Sequence, residues 1–239
     1  MMFRIFLWLT ISLAIQSLIF SQPKNIKSET QTSYAKESND KLVPDGSVVV
    51  KHYNERGKIV SESNQRFWQE IQKEITYNTK YFYNSQGLLD SSVLLEGEKF
   101  VLKLVYEYDT AGTAIGAVEI LPDGKPSFRT KYFYNDKKLK SKEIISNPEG
   151  VTYTEKEYSY NKKGRLLEEK GKDRGTPRYR WVFNYDKKNL LVERKMFDGN
   201  GNLVRTNNYK NNAEGKPVKE TESSPGSPLR IIKYEYIYY

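Results

Sequence analysis

Large apolar or aromatic side chains recur at every second position, in runs separated by turn residues. Phe100, Leu102, Leu104, Tyr106 and Tyr108 share one face of such a run, while Lys99, Lys103 and Glu107 share the other. Tyr179, Trp181, Phe183 and Tyr185 likewise lie opposite Arg178, Arg180 and Asn184. A period of two is that of half-buried β-strands, whose successive side chains point to opposite faces. With short turns between the runs, the pattern predicts an all-β antiparallel hairpin meander.

The runs are organised around a repeat whose clearest copy is Tyr158-Ser159-Tyr160-Asn161-Lys162-Lys163-Gly164-Arg165-Leu166. Aligning the last aromatic before each turn gives Tyr53, Tyr83, Tyr108, Tyr134, Tyr160, Tyr185, Tyr209 and Tyr236. The intervals are 30, 25, 26, 26, 25, 24 and 27 residues, about seven repeats of roughly 25 residues. After most of these tyrosines comes Asn or Asp and, three residues on, Gly, as in Asn54 to Gly57 and Asn84 to Gly87. Asn and Asp side chains bond the local backbone, and Gly accepts a positive φ. Lys138 and Asn189 take the glycine place in two copies, and the copy after Tyr209 reads as carrying two extra residues before Gly215. A second turn falls midway between tyrosines, at Glu96-Gly97, Asp123-Gly124, Pro148 to Gly150, Asp173 to Gly175, Gly199 to Gly201 and Pro225-Gly226.

Tyr-x-Tyr-Asn/Asp-x-x-Gly-x-Leu, best seen at Tyr81 to Leu89 and Tyr158 to Leu166, resembles the YD repeats of RHS-type bacterial surface and toxin-shell proteins. The resemblance spans Tyr53 to Tyr239 and implies a curling β-repeat fold and an extracytoplasmic bacterial setting. About fourteen strands are expected. Open twisted sheets seldom exceed ~10 strands without curling, so a strongly curved single sheet, or a partly closed barrel or shell with its tyrosine face inward, is expected.

The ends divide the chain further. Residues 1–21 read as a signal peptide: Arg4, then a largely apolar run from Ile5 to Phe20 that is shorter than the ~20 residues of a spanning helix. Residues 22–45, rich in Lys, Ser, Asn, Gln and Thr, read as a disordered linker, because so few apolar groups cannot offset the cost of ordering. Residues 46–239 form the repeat domain, with a first strand at Ser47 to Tyr53. Between Tyr53 and Tyr83, Phe67, Ile71 and Ile75 fit a short helix, but with Trp68 they also alternate, and the repeat context favours strand.

Composition narrows the function. Mean hydropathy is -0.75 and 29% of residues are charged. Charge falls on both faces of single runs, as at Lys140, Lys142 and Glu143 or Glu155, Lys156 and Glu157. That argues against the apolar lipid-facing band of an integral membrane barrel. There is no cysteine, so thiol catalysis, thiolate metal sites and disulfides are excluded. The single histidine, His52, reads as a strand surface residue. No nucleophile elbow, phosphate loop, EF-hand or cofactor motif is present, and adjacent pairs such as Glu168-Glu169 point to opposite faces. No enzyme, no catalytic or metal-ligating residues and no cofactor are expected.

Net charge is +9, and residues 131–195 alone carry 18 Lys and Arg against 10 Asp and Glu. Part of this excess is periodic. Lys137-Lys138, Lys162-Lys163 and Lys187-Lys188 occupy the turn after the tyrosine in three consecutive copies, with Arg165 beside the second. Alternate turns of a meander emerge on one rim, ~10 Å apart at two strand spacings. The carboxylates of the midway turns then lie on the opposite rim. The basic rim points to a polyanion such as an anionic polysaccharide or envelope polymer, bound with help from neighbouring tyrosines. The other partner considered is an envelope or surface protein added at a sheet edge, and a remnant toxin shell is a further alternative. Export and the absence of a recognition motif argue against specific nucleic-acid binding. The protein is expected in the periplasm, at the cell surface or secreted.

Overall fold

A computed structural model, which describes residues 25–68 and 72–239, shows sixteen strands. They are β1 (Ile26–Lys36), β2 (Leu42–Tyr53), β3 (Ile59–Trp68), β4 (Lys73–Tyr83), β5 (Leu89–Glu96), β6 (Lys99–Tyr108), β7 (Ala114–Ile120) and β8 (Pro126–Tyr134). They continue as β9 (Lys140–Ser146), β10 (Thr152–Tyr160), β11 (Leu166–Asp173), β12 (Thr176–Tyr185), β13 (Leu191–Asp198), β14 (Leu203–Asn211), β15 (Pro217–Ser223) and β16 (Arg230–Tyr238). Each pairs antiparallel with its neighbours in sequence, and β1 also pairs with β16, so the sheet is a closed barrel. Closure leaves no row of unpaired backbone groups.

The repeat is explained by its turn. In the β2–β3 hairpin, Gly57 N–H donates to the Asn54 carbonyl at 2.8 Å, and Asn54 N–H to the Lys58 carbonyl at 2.9 Å. Asn54 Oδ1 accepts from the N–H groups of Arg56 and Lys58, both at 3.0 Å. Gly57 has φ 74°, and the strand register shifts between His52 and Tyr53. This is a type I turn closed by a left-handed residue in a bulge. The same backbone bonds recur at 84–88, 109–113, 135–139, 161–165, 186–190 and 212–216. Lys138 and Asn189 adopt the glycine conformation, at φ 58° and 62°.

From β4 onward the tyrosine before the turn ties one hairpin to the previous one, whereas the Tyr53 hydroxyl lies 3.4 Å from the Glu29 carboxylate. The tying hydroxyl donates to the carbonyl of the first residue of the preceding strand. The bonds are Tyr83 to Ile59 at 2.8 Å, Tyr108 to Leu89 at 2.8 Å, Tyr134 to Ala114 at 2.6 Å, Tyr160 to Lys140 at 2.7 Å and Tyr185 to Leu166 at 2.9 Å. Tyr236 does the same to Pro217 at 2.8 Å. In β14 the place is taken by Asn211, whose Nδ2 donates to the Leu191 carbonyl at 2.9 Å. The turn that follows, Asn212 to Gly215, is regular. The two extra residues after Tyr209 are therefore a misalignment, caused by an asparagine performing the tyrosine's bond.

One other expectation is corrected and one is met. Residues 22–45 are not a linker throughout: β1 and most of the first half of β2 lie within them. What makes them strands is backbone pairing of β1 with β2 and β16, with Ile26 buried at one end and polar contacts over most of the rest. Gln31 Nε2 donates to Glu29 Oε1 at 2.6 Å, Lys51 Nζ lies 3.5 Å from Glu29, and Arg230 Nε reaches Asp45 at 2.7 Å. The chain between Tyr53 and Tyr83 is strand on both sides, through Trp68 and from Lys73. Ile71, needed for the helical reading, lies outside the described residues, as does the signal peptide expected at 1–21.

Tyr81, Tyr106, Tyr132 and Tyr158 line the buried face, each 8% exposed, together with Leu94, Leu104 and Ile145. The opposite parity carries exposed Phe82, Glu107, Phe133 and Asn184.

Candidate functional site at the charged rims

Charge in this barrel is distributed over three places, and each treats it differently. On the outer wall, charges neutralise one another across strands. Lys142 lies 2.7 Å from Glu155, Lys172 3.1 Å from Glu157, Arg180 3.2 Å from Glu168 and Arg129 3.6 Å from Glu107.

The lining is charged too, and its charges are enclosed. Lys140, Glu143 and Lys156 are each under 10% exposed, with Lys140 Nζ 2.7 Å and Lys156 Nζ 3.4 Å from the Glu143 carboxylate. Lys140 Nζ also sits 4.7 Å from the centre of the Tyr158 ring and 5.2 Å from that of Tyr132, and Tyr158 Oη donates to Glu143 at 3.2 Å. Burial alone would raise the Glu143 pKa, but Lys156 and Lys140 hold it below the ordinary carboxylate range. Further round, Asn207 Nδ2 donates to Glu220 at 2.6 Å and to Glu222 at 3.1 Å, Tyr234 Oη to Glu220 at 2.5 Å, and Arg194 stacks 4.8 Å from the Trp181 ring centre. Tyr179 folds across Gly171 to donate to Glu169 at 2.7 Å, and a Cβ at residue 171 would come within 2.2 Å of its ring.

At the rims some turn charges pair locally, as Lys125 does with Asp123 and Lys216 with Glu214, but others do not. Lys137, Lys138, Lys162, Lys163, Lys187 and Lys188 are all exposed, in the β8–β9, β10–β11 and β12–β13 turns, and antiparallel topology places these turns on one rim. Among the described residues none of the six has an ion-pair partner. The structure also refines their register. Lys137, Lys163 and Lys188 hold the same place, two after the Asn or Asp, and Arg56 holds it in the β2–β3 turn. Lys138 instead occupies the glycine position, so the first pair is offset by one residue from the other two.

Arg165 does not join this row. It is half-buried beyond the turn, at the place that Leu88, Leu139 and Leu190 fill elsewhere. Those leucines rest against the next turn, with Leu139 Cδ1 3.6 Å from where a Cβ on Gly164 would stand. Burial raises the Tyr185 hydroxyl pKa, and the Arg165 charge beside it acts in the opposite sense. The tyrosines are also spoken for: Tyr134, Tyr160 and Tyr185 donate inward to backbone carbonyls.

The opposite rim is acidic. It carries Glu96 and Glu98 at the β5–β6 turn, Asp123 at β7–β8, Glu149 at β9–β10, Asp173 at β11–β12 and Asp198 at β13–β14. Asp198 serves its own turn, accepting from the N–H groups of Asn200 and Asn202 at 2.9 Å each. Among the described residues, Glu96, Glu98, Glu149 and Asp173 have no ion-pair partner, and no group of three or more His, Cys, Asp or Glu is arranged to hold a metal ion.

By sequence, the chain matches no family model and no curated protein. By structure it is similar to a porin-like protein from Bacteroides uniformis, at 12% identity and a TM-score of 0.60, covering 91% of this chain and 100% of that one. That likeness establishes the fold class as an all-β closed barrel. Looser similarity extends to a TcdB2-TccC3 structure (TM-score 0.38, 14% identity, 79% of this chain but 12% of that one). It also extends to a LolA-superfamily protein from Nitrosomonas europaea (TM-score 0.34, 8% identity, 94% and 90%). Neither bears on function.

Proposed function

We propose that this chain is a non-enzymatic, exported barrel of the bacterial envelope that binds an anionic polymer, a polysaccharide or a phosphate-bearing envelope polymer, through its basic rim. One observation carries the reading. Many of the wall and lining charges are paired within the fold, while among the described residues none of the six lysines on three successive turns of one rim has an ion-pair partner. At ~10 Å between turns they match a ligand with repeated negative charge better than a single small anion. We also propose kinship with the YD-repeat proteins, resting on the Tyr-bonded hairpin that Tyr81 to Leu89 and Tyr158 to Leu166 encode. The wall supports a water-facing barrel and not an integral membrane one, because ion pairs such as Lys142–Glu155, Lys172–Glu157 and Arg180–Glu168 interrupt the outward face where a lipid-embedded barrel needs an apolar band. Closure disfavours the alternative of strand addition at a sheet edge, since the first and last strands are already paired.

The test is retention of the purified protein on immobilised heparin across a salt gradient. The comparison is a variant with Lys137, Lys138, Lys162, Lys163, Lys187 and Lys188 changed to Glu. A second variant reverses six positive charges on the wall. Loss confined to the rim variant supports the site, whereas equal loss in both variants, or no binding by the parent, overturns it.

A further inference from the structure

We propose that the protein associates with itself head to tail, the basic rim of one copy seated on the acidic rim of the next. The two rims belong to one closed barrel, so they have the same number of strands and matching perimeters. One carries six lysines without an ion-pair partner, and the other carries Glu96, Glu98, Glu149 and Asp173 without one, with Lys99, Lys125 and Arg174 interspersed. The two sets lie in the same sector: the basic turns span β8 to β13, and the acidic ones β5 to β12. A coaxial stack rotated by about one strand sets Glu149 and Asp173 of one copy against two consecutive lysine turns of another.

Apolar surface is available beside both charged sets. Ile115, Phe133 and Leu167 are 45%, 43% and 39% exposed near the basic rim, and Val151 is 56% exposed on the acidic one. Such a contact uses two different surfaces of the same molecule, so it does not close on itself as a two-fold dimer does. It generates rods of increasing length. This inference goes beyond polymer binding and is separable from it, because only self-association needs the acidic rim.

The experiment is sedimentation velocity of the purified protein over a concentration series, at about 10 mM and about 1 M salt, where the screening length falls from ~30 to ~3 Å. Four proteins are compared: the parent, the six-lysine reversal, an acidic-rim reversal (Glu96→Lys, Glu98→Lys, Glu149→Lys, Asp173→Lys), and the chain carrying both. Association of the parent at low salt is expected to weaken roughly tenfold or more at high salt. Each single reversal is expected to be monomeric alone. A mixture of the two, and the double reversal by itself, should recover assembly, which a merely misfolded variant cannot do. A monomeric parent at low salt, association indifferent to salt, or failure of both recoveries overturns the proposal. Should the acidic-rim reversal keep its heparin retention while losing assembly, the two uses of the lysine rim are distinguished.

Discussion

Lys138 and Lys140 are two residues apart and have opposite fates. Lys138 is exposed in a turn, in a left-handed conformation, with no counter-ion. Lys140 is 6% exposed, 2.7 Å from a carboxylate and flanked by two tyrosine rings. The pair teaches that lysine content alone says nothing about role here. A charge inside the barrel is held by partners and belongs to the structure, while a charge at the rim is uncommitted and available to a ligand or another copy. The following predictions break or sharpen that contrast.

The largest effect is expected inside. Glu143→Gln leaves two buried ammonium groups without their carboxylate, and losing one partner of a buried pair costs about 3–5 kcal/mol. Urea denaturation at neutral pH measures it. The sign of the pH dependence follows from the lowered pKa. The Glu143 contribution is present above the unfolded carboxyl value and lost as pH falls through the lower folded one. The variant should therefore show a flatter decline of stability in acid than the parent.

Next comes Gly171→Ala, which puts a methyl group where the Tyr179 ring lies and displaces its bond to Glu169. A loss of about 2 kcal/mol is expected from overpacking and the lost hydrogen bond. If Tyr179→Phe is made first, the additional cost of Gly171→Ala should shrink by the share owed to that bond, as a double-mutant cycle would report.

Tyr160→Phe removes one hairpin tie and leaves the Lys140 carbonyl without its donor, for about 1 kcal/mol. The ties also predict alkaline behaviour. Burial pushes the Tyr83 and Tyr160 hydroxyls up to about 12. A hydroxyl whose folded pKa is raised binds its proton longer in the folded than in the unfolded state. Stability should hold up to about pH 10, the unfolded tyrosine value, and fall as pH rises toward 12. The share of phenolate absorbance owed to the buried tyrosines should appear together with unfolding, not before it.

The smallest effect on stability belongs to the rim. Reversing all six turn lysines should shift unfolding by no more than roughly 0.5 kcal/mol per site, as for other exposed substitutions. A large loss would mean that the rim lysines are structural after all, and the contrast with Lys140 would collapse.

Much of this fold was legible from alternation and turn chemistry, because the Tyr, Asn and Gly of each hairpin act locally. What escaped were places where a polar residue does an apolar or aromatic residue's work. Residues Glu29, Gln31 and Ser33 give β1 a polar inner face, so composition argued for disorder where cross-strand partners supply order. Asn211 makes a tyrosine's bond with an amide. The rim row was legible from spacing alone, but not its offset at Lys138, nor that Arg165 is a packing residue. Those depend on which turn position turns outward, and doublets of lysine do not reveal it. The lining clusters were invisible because charges on both faces of β9 and β10 look alike until the sheet closes.

The seam between β1 and β16 has a consequence in time. At that rim Tyr239 N–H donates to the Asn25 carbonyl at 3.0 Å, and Tyr34 stands opposite Ile231 further along the pair. A chain emerging from its N-terminus makes β1 first, yet β1 gains its second neighbour only when the last strand has been delivered. Throughout that interval the growing sheet exposes two unpaired margins, one of them fixed and one advancing. Any early stop makes both permanent. Synthesis and delivery of this protein therefore carry one vulnerable period that ends abruptly, with the arrival of the final nine-residue strand.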